Sequence, residues 1–192
     1  KRVYALGKMS GKASLINNLE ELGISLSVED QAKVLARIVK LGDNKQSITP
    51  EDLPFIIADV MESKEYQHIE LLNCYISSGL NVESTASIRV AVNGEEFQGS
   101  GYGNGGFAAF FNAVEKILAE KDFAMPALAD YEVHIPRGGK TNALTECIIS
   151  WNAHDSEFKT RGVDSNQVLA AVKATLRMIN IRLHAMSKSE GP

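Results

Sequence analysis

The sequence predicts an α+β fold: a small helical subdomain over residues 1–64, then over residues 65–192 a domain of two β-β-β-α units. Three observations predict it. Residues 12–62 carry apolar positions at helical spacing between helix caps. Beyond the polar stretch "ESKEYQ" the texture changes to alternating β-branched and aromatic residues. And the second part repeats itself: "EFQGSGYGNGGFAAFFNAVEKIL" (96–118) lies over "EFKTRGVDSNQVLAAVKATLRMI" (157–179) without a gap. Glu96 matches Glu157, Phe97 Phe158, Gly101 Gly162, Ala109 Ala170 and Ala113 Ala174. Five identities in 23 positions are few, but they fall on the same strand–loop–helix order in both copies.

The elements follow in order. A first helix covers about Ala13–Leu22 and ends at Gly23. In "SVEDQAKVLARIVKLG", Ser27 is placed to cap and Asp30 follows three residues on, a capping-box-like pair. Val34, Leu35, Ile38 and Val39 then form a stripe, and Gly42 is placed to stop the helix. "TPEDLPFIIADVM" repeats the grammar: Thr49 caps, Pro50 takes the first helical position, and Glu51 and Asp52 favour the positive end of the dipole. Strands then read over "IELLNCYISSG" and over "STASIRVAVNGEEFQGSGYG", where Ile88, Val90 and Val92 alternate with Arg89 and Ala91, and Asn93-Gly94 signals a two-residue hairpin. A helix follows from about Gly105 to Lys121. "DYEVHIPRGG", "ALTECIISWNA" and "SEFKTRGV" give three more strands, and a last helix runs from about Ser165 to His184.

Composition sets limits. The 192 residues carry a net charge of −4, with 44% hydrophobic and 23% charged residues, ordinary values for a chain that buries a core. No apolar run approaches the roughly 18 residues of a membrane span, and no basic stripe offers itself to nucleic acid. The start "KRVYALGK" has neither an initiator Met nor an apolar signal segment, so a piece of a longer cytoplasmic protein is expected. Cys74 and Cys147, in apolar strands without metal-ligand spacing, read as buried thiols. His68, His134, His154 and His184 are scattered and give no metal-binding pattern.

The glycine-rich stretch "GYGNGG" invites a nucleotide reading. The strands before it form hairpins, so the parallel βαβ context of a dinucleotide site is missing, and there is no phosphate-loop lysine. Gly101, Gly103, Gly105 and Gly106 are expected to permit the turn, with positive φ where needed. Two helix N-termini related by the repeat would also make good carboxylate sites. "PRGGK" (136–140) reads as a solvated hairpin turn with a weaker anion-contact alternative, and "GKMSGK" (7–12) as a capped helix start.

Several of these segments resemble one family. "ALGKMSGKASLINNLEELGISLS", "ITPEDL", "GNGGFAAFFNAVEKIL", "DYEVHIPRGGKTNALTE" and "TRGVDSNQVLAAVKATLRMIN" are similar, in that order, to the C-terminal part of the 2-isopropylmalate synthase family, which includes citramalate synthases. Met9 stands where many members have His. The resemblance implies a linker subdomain and an allosteric regulatory domain that forms a homodimer and binds leucine or isoleucine. It implies a missing N-terminal TIM barrel that holds a divalent metal and condenses acetyl-CoA with a 2-keto acid. This segment would then hold no catalytic residue, metal or cofactor. Carried over by position, the pocket comprises Phe107, Ala108, Leu128, Tyr131, Ile135, Thr141, Thr145, Ser165 and Gln167. Taken on their residues alone, Leu128 and Ile135 read as plain core. A stand-alone amino-acid-binding or dimerisation module is the alternative of another class.

Overall fold

The computed structural model describes residues 12–13, 15–16, 19, 26–43, 56–57, 60, 67–135, 145–153 and 156–189. Among them are three helices and two three-stranded antiparallel sheets, an α+β arrangement of two β-β-β-α units. Helix α1 is Val28–Asp43. Sheet one is β1 (Ile69–Ser77), β2 (Ser84–Val92) and β3 (Glu95–Gly103), followed by α2 (Gly106–Ala119). Sheet two is β4 (Ala127–His134), β5 (Thr145–Ala153) and β6 (Ser156–Asp164), followed by α3 (Gln167–Ser189). In both sheets the strand order is the chain order.

Local signals account for the element ends. The backbone N–H of Asp30 donates to Ser27 Oγ at 3.1 Å, the cap expected of Ser27. Asn93 and Gly94 both take positive φ, 49° and 85°, as a tight primed hairpin between β2 and β3 requires. Two ends differ from expectation. Helix α1 passes through Gly42 to Asp43, and α3 continues beyond His184 to Ser189, the next helix breakers being Gly191 and Pro192. Of the earlier helical stretch, Leu15 and Leu19 are helical and buried, as are Ile56 and Ile57 further on.

The repeat is physical. Both first strands carry a register shift at the same place, between Leu71 and Asn73 in β1 and between Leu128 and Asp130 in β4. Gly101 in β3 and Gly162 in β6 lie under their helices. A Cβ on Gly101 would strike the carbonyl of Ala109 and the backbone of Ala113, and one on Gly162 would strike the carbonyl of Ala170 and meet the nitrogen of Ala174 at 2.7 Å. The glycine and the two alanines that match between the copies are thus one device: a bare strand position against small helix residues brings backbone onto backbone. Gly103 does the same under Ala108 and the nitrogen of Ala109, while Gly99 makes room for the Ile117 side chain. The expected role of these glycines in a turn is therefore corrected. Among the described glycines only Gly94 has positive φ, Gly105 is extended at −163°, and Gly99, Gly101 and Gly103 are strand residues chosen for close approach.

Each helix covers one face of its sheet. Ala86, Ile88, Val90 and Val92 of β2 are buried beneath α2, and Cys147, Ile149 and Trp151 of β5 beneath α3. Trp151 Nε1–H donates to Thr160 Oγ1, whose hydroxyl donates to the Ala174 carbonyl, each at 2.8 Å, so β5, β6 and α3 are tied by one buried chain. The opposite face of sheet one is open: Tyr75, Ser87, Arg89 and Tyr102 are exposed. Both cysteines are free thiols, Cys147 buried and Cys74 half-buried. No described helix is long and apolar enough to cross a membrane.

Candidate functional site

The two helix starts meet. A Cβ on Gly106, the first residue of α2, would lie 2.9 Å from Ile76 of β1 and 3.5 Å from Val168 of α3. One residue on, the Phe107 ring stands 5.3 Å from the Tyr131 ring of β4 and 6.2 Å from Phe111, and Phe111 stacks at 6.2 Å on Trp151. Helix α2 of the first unit thus lays an aromatic edge, spaced one helical turn apart, on the sheet of the second. Tyr131 completes the wall. Its phenol interacts with the Cys147 thiol and with the Gln167 side chain at the start of α3.

Phe107, Tyr131 and Gln167, far apart in sequence, are therefore brought together. Ala108 sits beside them, half-buried over Gly103. Leu128 pairs with Trp151 across the strands, shares the helix-side face with Tyr131, and is 42% exposed. Ile135 directly follows β4 and is 68% exposed. The plain-core reading of these two residues is thereby corrected: the register puts Leu128 on the inner face, but near the uncovered edge of the sheet. Thr145 is buried as the first residue of β5, and Ser165 is exposed in the turn before α3. Thr141 lies outside the described residues, as do residues 136–140 of "PRGGK".

The two helix starts differ electrostatically. At α3, Asn166 Oδ1 accepts the N–H groups of Val168 (2.9 Å) and Leu169 (3.2 Å), and Asp164 Oδ1 accepts the N–H of Asn166 (2.8 Å). Lys173 bonds the other Asp164 oxygen at 2.7 Å and, foremost among the causes, holds that carboxyl below its ordinary range. At α2 the cap position is Gly105, and no side chain caps it. The first N–H groups of α2 thus keep their positive end for an anion, whereas those of α3 already serve their own loop.

Burial pushes the Tyr131 phenol up from 10.0 to about 12, with Cys147 adding to the rise and Gln167 opposing it. Burial likewise raises the Cys147 thiol. An acid whose folded pKa exceeds its unfolded one favours the fold below the unfolded value. That contribution is lost as pH climbs from about 10 to about 12. In an ultraviolet titration of the five tyrosines, one should ionise last, and Tyr131→Phe should remove that late phase. A late phase that persists in the variant would assign it elsewhere.

Other features were not legible in the sequence. A groove of about 530 Å³ runs between β1 and α3, lined by Ile69, Leu71, Leu169, Val172, Lys173 and Leu176 among others, and by none of the expected pocket residues. It is the repeat's counterpart of the aromatic wall. The residues at the matching positions are smaller: in register, Cys74 and Val90 stand where the second unit has Tyr131 and Trp151, and in the repeat Val168 and Val172 stand where α2 has Phe107 and Phe111. His68 and His184, 116 residues apart, also meet, Nε2 to Nδ1 at 3.1 Å, and no sequence spacing could have announced it. Among the described residues no three His, Cys, Asp or Glu side chains gather as metal ligands.

Comparison with known proteins places this geometry. Residues 47–183 match the model of the LeuA allosteric (dimerisation) domain. The chain is 32% identical over 181 residues to a putative (R)-citramalate synthase of Archaeoglobus fulgidus, covering 94% of this chain and 36% of that protein. It is 33% identical over 190 residues to a protein of the same name from Methanothermobacter thermautotrophicus, covering 99% and 38%. With the 2-isopropylmalate synthase of Aquifex aeolicus it shares 30% identity over 176 residues, covering 91% and 33%. The chain therefore spans 33–38% of the length of these relatives. A duplicated β-β-β-α unit with joined helix starts, matched along 47–183, makes this chain a member of the LeuA allosteric (dimerisation) domain family.

Proposed function

We propose that the chain is the feedback sensor of a cytoplasmic 2-isopropylmalate synthase. Residues 1–64 serve as linker subdomain and 65–192 as a regulatory domain that forms a homodimer and binds leucine. The observation that carries the reading is the conjunction at the helix starts: uncapped N–H groups of α2 beside a half-open apolar wall of Phe107, Tyr131 and Leu128. An amino acid has the matching parts. By position the carboxylate belongs at Ser165–Gln167, where Asn166 takes the neighbouring N–H groups of Val168 and Leu169, and the uncapped start of α2 at Gly106–Ala108 offers it a second anchor. The branched side chain rests on Phe107, Leu128 and Ile135, Thr141 and carbonyl groups serve the ammonium end, and Thr145 flanks the strand beside them. Four apolar carbons at about 0.8 kcal/mol each contribute roughly 3 kcal/mol. The helix end adds about 0.3–1 kcal/mol, so binding in the tens of micromolar or weaker is expected.

The second reading is the same module in a citramalate synthase sensing isoleucine; similarity to two proteins bearing that name favours it. Leucine and isoleucine differ by the place of one methyl, which a pocket separates by about 1–3 kcal/mol. Condensation of acetyl-CoA with a keto acid, and the divalent metal for it, would belong to a barrel outside this chain. Titration calorimetry with both amino acids should give saturable binding to one, at least tenfold tighter than to the other. Heat from neither would end the sensing reading. Sedimentation should show a homodimer, for which the open sheet face bearing Tyr75 and Tyr102 is available; a monomer at high micromolar concentration would contradict this.

A further inference from the structure

We infer that α3 relays the state of the aromatic site to α1 through a buried polar clasp formed by Asp30, His184 and His68. The relay rests on the sensing reading for its input, while the clasp stands on the geometry alone. Helix α3 has 23 residues, about 34 Å at 1.5 Å per residue. In its first turn Val168 packs toward Gly106 at the start of α2, where a Cβ would stand 3.5 Å from it, one residue before Phe107 of the aromatic wall. Near its other end His184, buried, bonds through Nε2 to Oδ2 of buried Asp30 in the first turn of α1, at 2.7 Å. The other ring nitrogen meets His68 Nε2, and His68 Nδ1 lies 3.0 Å from Asn93 Oδ1 at the β2–β3 turn.

One turn earlier on α3, Asn180 Oδ1 accepts the N–H groups of His68 and Ile69 at 2.7 and 2.9 Å. The start of β1, the β2–β3 turn and α1 are thus all fastened to the same two turns of α3. Such bonds do not stretch: a hydrogen bond weakens steeply with misalignment, and a buried carboxylate left without its partner is costly. A shift of α3 therefore either carries α1 with it or releases it. That gives the clasp two states, the property that a relay between distant sites requires.

Hydrogen exchange of the full 192-residue chain tests the relay in two arms. Without ligand, Tyr131→Phe should change exchange of the α1 amides by about fivefold or more, the lower end of ordinary coupling between sites. The response should vanish in an Asp30→Asn background. It should also vanish in the double variant Asp30→Leu/His184→Phe, where both partners of the 2.7 Å bond become apolar. With leucine or isoleucine added, β4, the start of α2 and α1 should all respond in the parent chain, and only the first two in the clasp variants. An α1 that ignores Tyr131→Phe, or that still responds with the clasp removed, overturns the relay. Silence of β4 and α2 toward both amino acids would instead fail the sensing reading, and the ligand-free arm would still decide the relay.

Discussion

Gly162→Val should lower the unfolding free energy by about 3 kcal/mol, the top of the usual overpacking range, read as the urea midpoint shift of the chain. The residue is neither in a turn nor strained; its cost would come from what stands above it. A Cβ there strikes the Ala170 carbonyl and meets the Ala174 nitrogen at 2.7 Å and the Lys173 Cβ at 2.9 Å. Two of those are helix backbone, which cannot swing aside as a side-chain tip can. The helix must lift, and lifting it loosens the bond from Thr160 to the Ala174 carbonyl, the bond of Trp151 to Thr160, and the packing of Ile149 beneath. Gly101→Val should behave alike, because the first unit uses the same contact with Ala109 and Ala113. Gly105→Ala is the control. Its added methyl meets nothing within 4 Å on an extended backbone, so the change should cost at most about 1 kcal/mol, that of alanine in place of glycine at a helix cap. Equal midpoints for Gly162→Val and Gly105→Ala would refute the close-approach account of the repeat.

That account also explains what could be read in advance. Hairpin, cap and alternation are local signals: Asn93-Gly94, Ser27 before Asp30, and Ile88, Val90 and Val92 each act through neighbours in sequence, so they stand in the structure as they read in the chain. The repeat was legible because each copy must solve the same packing problem with the same glycine and alanines. Its meaning was not, since a strand glycine and a turn glycine look alike until the helix above them is placed. The site was half legible. Phe107, Tyr131 and Gln167 came from resemblance to a family and converge in space. Of the partners that shape them, Phe111 and Trp151 meet only because α2 crosses to the second sheet, and Cys147 reaches Tyr131 through the β4–β5 pairing. The Asp30–His184 contact joins residues 154 apart. Neither periodicity nor composition carries information over that distance.

Ile135→Asp should abolish amino-acid binding, by at least about a hundredfold, while leaving fold and stability intact. The two halves of that expectation have separate grounds. Ile135 is 68% exposed beyond the end of β4, so replacing it opens no cavity, and a surface substitution of this kind stays within about 0.5 kcal/mol. In the proposed complex the same residue is covered by the ligand's branched side chain. A carboxylate there must either be desolvated against an apolar group or hold the ligand away, and about 2.7 kcal/mol, a modest share of that penalty, already gives a hundredfold loss. Ile135→Val, which trims one methylene, should cost only about 0.8 kcal/mol, a fewfold weakening. Calorimetry against leucine and isoleucine reads the binding, and circular dichroism with a urea midpoint reads the fold. If Ile135→Asp binds normally, the apolar end of the ligand lies elsewhere, and the β1–α3 groove bordered by Leu71 and Leu169 becomes the place to look. If it neither binds nor folds, Leu128→Asp, at a position 42% exposed on the same wall, separates the two causes.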